Sequence, residues 1–322
     1  MTEVVVVGAS AIDLKATSSA SLIPETSNPG IVSASPGGVG RNIAETLARL
    51  GTNVRLVSRV ADDAFGRLVL AETAFTGVDV SGVLNDAERT ATYVATLDTD
   101  GSLSVAVSDF AALDTMTVEH VADLQLEGVR HVVLDANLPI PVLGAALDQA
   151  VAAGALVTIE PVSVIKARRL AGLTPAYPAH LMTPNQDEYA ALTELLDPHS
   201  IAANICVRRG LAGSRLLRGQ GADPVDIPAA VVPPEEVRDV TGAGDSATAG
   251  LIHALVRGAD LEEAVAFGNA VAARTVRSDL TVPTDLADLP DLPELTDVLD
   301  RPDVPNRQTA PDDDDPRDRE DH

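Results

Sequence analysis

The chain contains no tryptophan, and aromatic residues make up only 2% of its 322 positions. Surfaces that bind single-stranded nucleic acid stack bases on such rings, so their scarcity argues against that partner. Cysteine is equally rare. Cys206 stands alone, so no internal disulfide can form, and its setting in Ile205-Cys206-Val207 reads as a buried structural thiol rather than a nucleophile. No apolar run reaches the ~20 residues of a membrane span. Met1-Thr2-Glu3 lacks the basic start of a signal peptide, and Val4 to Val7 reads as a first strand. A cytoplasmic protein with no membrane partner is expected. The six histidines, at 120, 131, 180, 199, 253 and 322, show no metal-ligand spacing. Lysine is nearly missing as well: Lys15 and Lys166 are the only two among 23 basic residues. Generic positive charge therefore falls to arginine, and a retained lysine suggests a need for a compact ammonium. Chance accounts for Lys166, while the position of Lys15 favours a role.

Positive charge is also in deficit overall. The formal net charge is −25, and residues 301–322 supply little of it, with eight acids against four arginines. An acidic body lacks the basic footprint of a nucleic-acid binder. It remains compatible with a nucleotide, which local amides and a metal ion can hold. The segment 301–322 is rich in Pro and Asp and nearly free of apolar residues, so it is expected to be a disordered tail.

The chain as a whole is 45% hydrophobic in composition, ample for a large α/β domain. Strand-like runs alternate with helical ones. They include Val54 to Val60 before Ala64 to Phe75, His131 to Leu134 before Pro141 to Ala153, and Leu156 to Ile159 before Val164 to Leu170. Leu181-Met182 precedes Asp187 to Leu196 in the same way. Such alternation predicts a mostly parallel sheet with helices on both faces. Two regions interrupt it. Short strands are expected within about 11–36, and again within 88–108 around the hairpin signal Asp98-Thr99-Asp100-Gly101. Together they predict a small β-sheet lid beside the main sheet, able to close over substrate.

The most informative motif is Asp239-Val240-Thr241-Gly242-Ala243-Gly244-Asp245-Ser246. A Gly-rich turn opening a helix gathers unpaired N–H groups at the positive end of the dipole and binds phosphate. A carboxylate there would repel an anion unless it accepts a proton from a hydroxyl attacking that phosphate. An ordinary capped helix explains the motif alone equally well. Gly37-Gly38-Val39-Gly40-Arg41-Asn42 is a second glycine cluster entering a helix. Asn185 and Glu188 share one helix face and could orient waters around Mg²⁺. Asp13 follows the first strand, and a carboxylate can accept from two vicinal hydroxyls. No Gly-x-x-x-x-Gly-Lys phosphate loop is present.

In this order, Gly37-Gly38 with Asn42, Asn185-x-x-Glu188, and Thr241-Gly242-Ala243-Gly244-Asp245 resemble the landmarks of the ribokinase (pfkB-type) carbohydrate and nucleoside kinases. The resemblance covers about residues 1–290. It implies a three-layer α/β/α sandwich, with the kinase domain over 1–300 and ATP and Mg²⁺ as cofactors. Within that family, Ala9 to Asp13 with Lys15, Asn28-Pro29-Gly30, Ser35 to Glu45 and Leu134-Asp135-Ala136-Asn137 are most similar to the pseudouridine kinases. Phosphorylation of the pseudouridine 5′-hydroxyl is then the implied reaction. Other sugar or nucleoside kinases, on ribose, fructose, uridine or adenosine, are the alternative, and a non-catalytic binding protein of the same fold is a more distant one. The resemblance assigns Asp245 as base, with Gly242, Ala243 and Gly244 as the anion cradle. It assigns Asp13, Lys15, Asn28, Gly37, Gly38, Asn42 and Asn137 to the acceptor, and Asn185, Gly210, Thr241 and Asn269 to the nucleotide. Glu188 and Asn185 would hold Mg²⁺ through water, and Asp239 with Thr241 a monovalent cation such as K⁺. A homodimer joined at the lid is implied too. The chain departs from the family pattern at Ala11, at Ala61 and at Arg208, which replaces a threonine. Arg208 either serves the phosphates or projects into solvent, and solvent is the preferred reading.

Overall fold

The structure, a computed structural model, describes residues 1–219 and 221–289. The expected tail at 301–322 lies outside the described residues. In chain order the elements are β1 (Val4–Val7), β2 (Ala11–Ser18), β3 (Gly30–Gly37), α1 (Val39–Arg49), β4 (Val54–Arg59), α2 (Ala64–Phe75) and β5 (Asp79–Leu84). There follow β6 (Ala91–Leu97), β7 (Leu103–Asp109), α3 (Ala111–Asp114), β8 (His131–Asp135), α4 (Ile140–Ala152), β9 (Leu156–Glu160), α5 (Val164–Arg169), β10 (Ala179–Met182) and α6 (Gln186–Thr193). The chain continues through β11 (Ala202–Arg208), β12 (Ser214–Arg218), β13 (Val225–Ile227), α7 (Ala243–Arg257) and α8 (Leu261–Thr275).

Nine strands form the central sheet in the order β13-β12-β11-β10-β9-β8-β1-β4-β5. All neighbours are parallel except β11–β12 and β12–β13. β1 lies inside the sheet, and its four valines are fully buried. Alternation sends Val5 and Val7 into one apolar cluster with Leu143 and Leu147 of α4. Val4 and Val6 enter the other, with Leu47 of α1, Ile252 of α7 and Val265 of α8. Each valine contributes about 1.5–3 kcal/mol by leaving water. Two clusters on opposite faces make the expected three-layer α/β/α sandwich.

A second, four-stranded sheet has the order β3-β2-β6-β7. β2 is antiparallel to β3 and parallel to β6, and β6 and β7 form the hairpin signalled at residues 98–101. Ile12 at the start of β2 packs with Val60 and Val69 of the main body, which anchors the small sheet at one end.

Chain order reverses between β1 and β8: the chain first winds outward through β4 and β5, then returns to pair β8 with β1. Open α/β sheets place ligands beyond the carboxyl ends of strands at such a point. Here the reversal is pinned by Asp135, fully buried at the end of β8. Its Oδ2 accepts from the N–H groups of Ala9 (2.7 Å) and Gly40 (2.9 Å), and its Oδ1 from that of Asn137 (2.9 Å). One carboxylate thereby joins β1, α1 and β8. Gly8 leaves the necessary room, since a Cβ there would sit 2.3 Å from Asp135 Oδ2.

Candidate active site

The turn before α7 is built by Gly242. Its φ of 79° is left-handed, and a Cβ would lie 2.5 Å from the Thr281 carbonyl oxygen; both demand glycine. The Ser246 N–H returns to the Gly242 carbonyl (2.9 Å) and starts the helix, while the Ala243 N–H turns back to Val240 (3.2 Å). Those of Gly242, Gly244 and Asp245 donate to no acceptor among the described residues. Three free donors at a helix N-terminus form an anion site.

Asp245 stands at the edge of this site. The amide of Asn42, from the first turn of α1, donates to its Oδ2 at 2.9 Å, across 203 residues of sequence. Desolvation drives the Asp245 carboxyl up to about 7, and the negative charges of Glu160 and Asp135 push the same way, while the Asn42 amide and Arg208 pull it down. Asp13, on β2, has a carboxyl raised by burial, against the pull of Lys15 and Arg41. Its carboxylate accepts no hydrogen bond from the described residues and packs against Gly37, where a Cβ would lie 2.3 Å from Oδ2. Asp13 thus meets Gly37 at the end of β3, and α1, which follows directly, carries Asn42 to Asp245.

Beyond α7 lies a charged cluster that the sequence reading did not assemble. Glu160, at the end of β9, is buried and accepts from the hydroxyls of Thr183 (2.7 Å) and Thr248 (2.9 Å). Arg208, at the end of β11, donates to it through Nη2 at 2.7 Å and approaches Glu188 at 3.7 Å. The side chain of Arg208 is only 15% exposed, so it points inward, not into solvent. Acids at the ends of buried strands were the available signal for Glu160. Asn185 and Glu188 form a reciprocal cap on α6: each side chain accepts from the other's N–H, at 2.8 and 2.9 Å. Burial raises the Glu188 carboxyl, and Glu160 raises it further.

Three carboxylates, Glu160, Glu188 and Asp245, thus surround one guanidinium. That excess of negative charge fits a hard dication. Among the described residues no three His, Cys, Asp or Glu side chains converge as a metal site. On the other side of the turn an apolar slot of about 360 Å³ is lined by Leu211, Ala230, Val232, Val240, Ala272 and Val276 among others. Gly210, Ala243 and Asn269 border it as well. Its size and lining suit a flat heterocycle.

The other expected site residues are distributed as follows. Lys15 and Asp239 meet each other: Nζ lies 3.2 Å from Oδ2, tying β2 to the segment before α7. Burial would raise the Asp239 carboxyl, but Thr241 and Lys15 together hold it below the ordinary range. The Thr241 N–H donates to Asp239 Oδ1 (2.8 Å). Asn28 is not brought to the cleft. It closes its own exposed loop, accepting from the Ile23 N–H (2.8 Å) and donating to the carbonyls of Ile23 and Thr26. Asn137 is buried beside Asp135 at the β8 end. Asn269 accepts from the Ser214 hydroxyl (2.8 Å) and donates to the Pro228 carbonyl (2.9 Å), bracing the wall of the slot.

A three-layer sheet with a lid, a helix-borne anion turn and an adjoining carboxylate define a phosphotransferase acting on a small-molecule hydroxyl. The pfkB family carbohydrate kinase model matches residues 1–285, and the chain belongs to that family. It is 32% identical over 298 residues to the pseudouridine kinase of Escherichia coli, spanning 88% of this chain and 93% of that protein. It is 29% identical over 295 residues to the guanosine-inosine kinase of Exiguobacterium acetylicum, spanning 86% and 95%. A solved carbohydrate kinase from Agrobacterium tumefaciens superposes with a TM-score of 0.74 at 27% identity, covering 89% of this chain and 96% of that one. Kinases of this family use ATP and Mg²⁺, and ATP-dependent phosphorylation of a sugar or nucleoside is the activity of this chain. Among the described residues no helix is long and apolar enough to cross a membrane.

Proposed function

We propose that the acceptor is a ribose-bearing sugar or nucleoside, phosphorylated on a primary hydroxyl with Asp245 as the base. The observation that carries this reading is the Asp245 carboxylate held by Asn42 (2.9 Å) beside the free N–H groups of Gly242, Gly244 and Asp245. The hydroxyl oxygen attacks the terminal phosphorus, its proton passes to Asp245, and the bond from that phosphorus to the bridging oxygen breaks to release ADP. The free amides meet the charge that develops on the transferred group. Asp13, with its unsatisfied carboxylate, accepts from the sugar hydroxyls. The apolar slot takes the adenine. Bound Mg²⁺, held through Asn185 and Glu188, supplies charge neutralisation on the phosphates.

Pseudouridine is the finer reading. Its support is the pattern of the first 45 residues and the likeness to the E. coli pseudouridine kinase. The likeness to a guanosine-inosine kinase at nearly the same identity supports a purine nucleoside almost as well. A panel of pseudouridine, uridine, guanosine, adenosine and ribose, ranked by kcat/KM, separates these. A preference for ribose or a purine nucleoside would reject pseudouridine while leaving the kinase chemistry in place. Asp245→Asn is expected to fold and bind ATP yet lose about three decades of kcat, the scale of a lost and misplaced base. Near-wild-type turnover in that variant would remove Asp245 from the mechanism.

A further inference from the structure

We propose that Arg208 is a phosphate ligand of this kinase, its guanidinium set between Gly244 at the start of α7 and the Glu160–Glu188 pair, where it meets the terminal phosphates of the bound nucleotide. The inference rests on the kinase reading and adds a residue to it.

Arg208 sits where the phosphate-binding turn and the acidic pair come together. Its own N–H donates to the Pro184 carbonyl (2.8 Å), which fixes the end of β11 next to Asn185. Its Nη1 lies against the Gly244 backbone so closely that a Cβ on Gly244 would be 2.7 Å away. Gly244 is one of the residues with a free N–H. The guanidinium and the amides of the turn are thus neighbours, and an anion reaching one reaches the other.

The hydrogen bonding of Arg208 is incomplete in a way that points to a ligand. A guanidinium carries five N–H donors. Among the described residues Nη2 makes one short bond, to Glu160 at 2.7 Å, Nη1 reaches only the Thr248 hydroxyl, at 3.4 Å, and Nε is buried with no acceptor. A buried unmet donor costs about 1–3 kcal/mol. The Thr183 and Thr248 hydroxyls meet only Oε2 of Glu160, so Arg208 Nη2 serves its Oε1, and that single pairing leaves Nη1 and Nε for another acceptor. A phosphate presents two acceptor oxygens at the spacing of a guanidinium fork, and Arg–phosphate pairs are correspondingly strong.

The charge count agrees. Glu160, Glu188 and Asp245 all act on Arg208, and Arg208 in turn draws the Asp245 carboxyl down. A triphosphate brought among three carboxylates needs positive charge beyond a single dication. The chain has no phosphate-loop lysine to supply it.

The test is titration calorimetry of ATP and ADP, with Mg²⁺, against wild type, Arg208→Gln and the double variant Glu160→Gln/Arg208→Gln. The double variant removes both charges of the buried pair, so a structural role is relieved and a phosphate role is not. Loss of the charge-assisted bonds is expected to weaken ATP and ADP by about ten- to a hundredfold in both variants. Wild-type affinity in the folded double variant would overturn the proposal. In case neither variant folds, the Nε–H resonance of Arg208 in ¹⁵N-arginine-labelled wild type is followed during ADP addition, with Arg208→Lys assigning the peak. A large shift is expected, and an unmoved peak at saturation would reject the contact. Wild type that binds neither ATP nor ADP would be a separate result and would overturn the kinase reading itself.

Discussion

At Asp245 the demands of folding and of the proposed proton acceptance oppose each other. A carboxyl raised to about 7 keeps its proton in the folded protein at pH values where the unfolded chain releases it. Folding is therefore favoured by Asp245 at low pH, and that contribution is lost as pH rises from about 4 through about 7. As the proposed base, Asp245 must be ionised. The rate profile should accordingly fall about tenfold per pH unit on the acid side of about 7 in kcat/KM, and flatten above it. Asp245→Asn should melt above wild type at pH 8, because the penalty of the buried charge is gone. An acid limb near pH 4, with no gain in melting temperature, would mean that the nearby charges are compensated in solution. A free aspartate is ionised at neutral pH, and the sequence offers no reason to expect otherwise. The shift arises first from burial in the folded site and then from Glu160 and Asp135, which are 85 and 110 residues away in the chain.

Among the elements, α7 and β2 matter most. α7 was readable from its start: glycine at the left-handed position, a carboxylate in the first turn, then an apolar face. The lid was readable as short strands around turn signals, though its attachment was not. Lys15 reaches from β2 to Asp239 at 3.2 Å, with both side chains about one-third exposed. A pair that open to water is worth about 0.2–1 kcal/mol. It ties the small sheet weakly to the segment before α7. Lys15→Met should raise the acceptor KM about two- to fivefold while leaving ATP affinity unchanged. Steady-state kinetics with calorimetry on the same variant would check it; an equal loss of ATP affinity would place Lys15 at the nucleotide instead. Helix α8, capped by Asp260 and Glu263, and the antiparallel pair β12–β13 carried usable local signals that the alternating βα pattern masked.

For the whole molecule, the lid leaves one face uncovered. The register aligns Val32, Ala16, Thr96 and Val105 in one row and Ala34, Leu14, Val94 and Val107 in the next. Both rows lie on the face opposite Asp13 and Lys15. On it Val32 is 71% exposed, Val105 55% and Val107 65%. A contiguous apolar patch of this kind is the surface that the proposed lid-joined homodimer would bury, against the repulsion of two strongly acidic copies. Light scattering at micromolar concentration is expected to give twice the chain mass, and Val105→Asp with Val107→Asp to give the monomer. A wild-type monomer at every concentration tested would rule out the lid-joined homodimer.

Local sequence determined whatever depends on neighbours in the chain. Strand and helix alternation follows from hydrophobic period, and the anion turn from Gly242 and Gly244, because backbone conformation and helix dipoles are short-range properties. The identity of Asp245 as a carboxylate at a phosphate site belongs to the same level. Only the tertiary structure decided which distant groups share that site. It set Asn42 on Asp245, left the Asp13 carboxylate without a hydrogen bond among the described residues, and closed Asn28 onto its own loop. It also turned Arg208 inward onto Glu160, where side-chain preference alone favoured water. Desolvation and charge pairing act through space, and their sign at each residue is settled by what folding brings within a few ångströms.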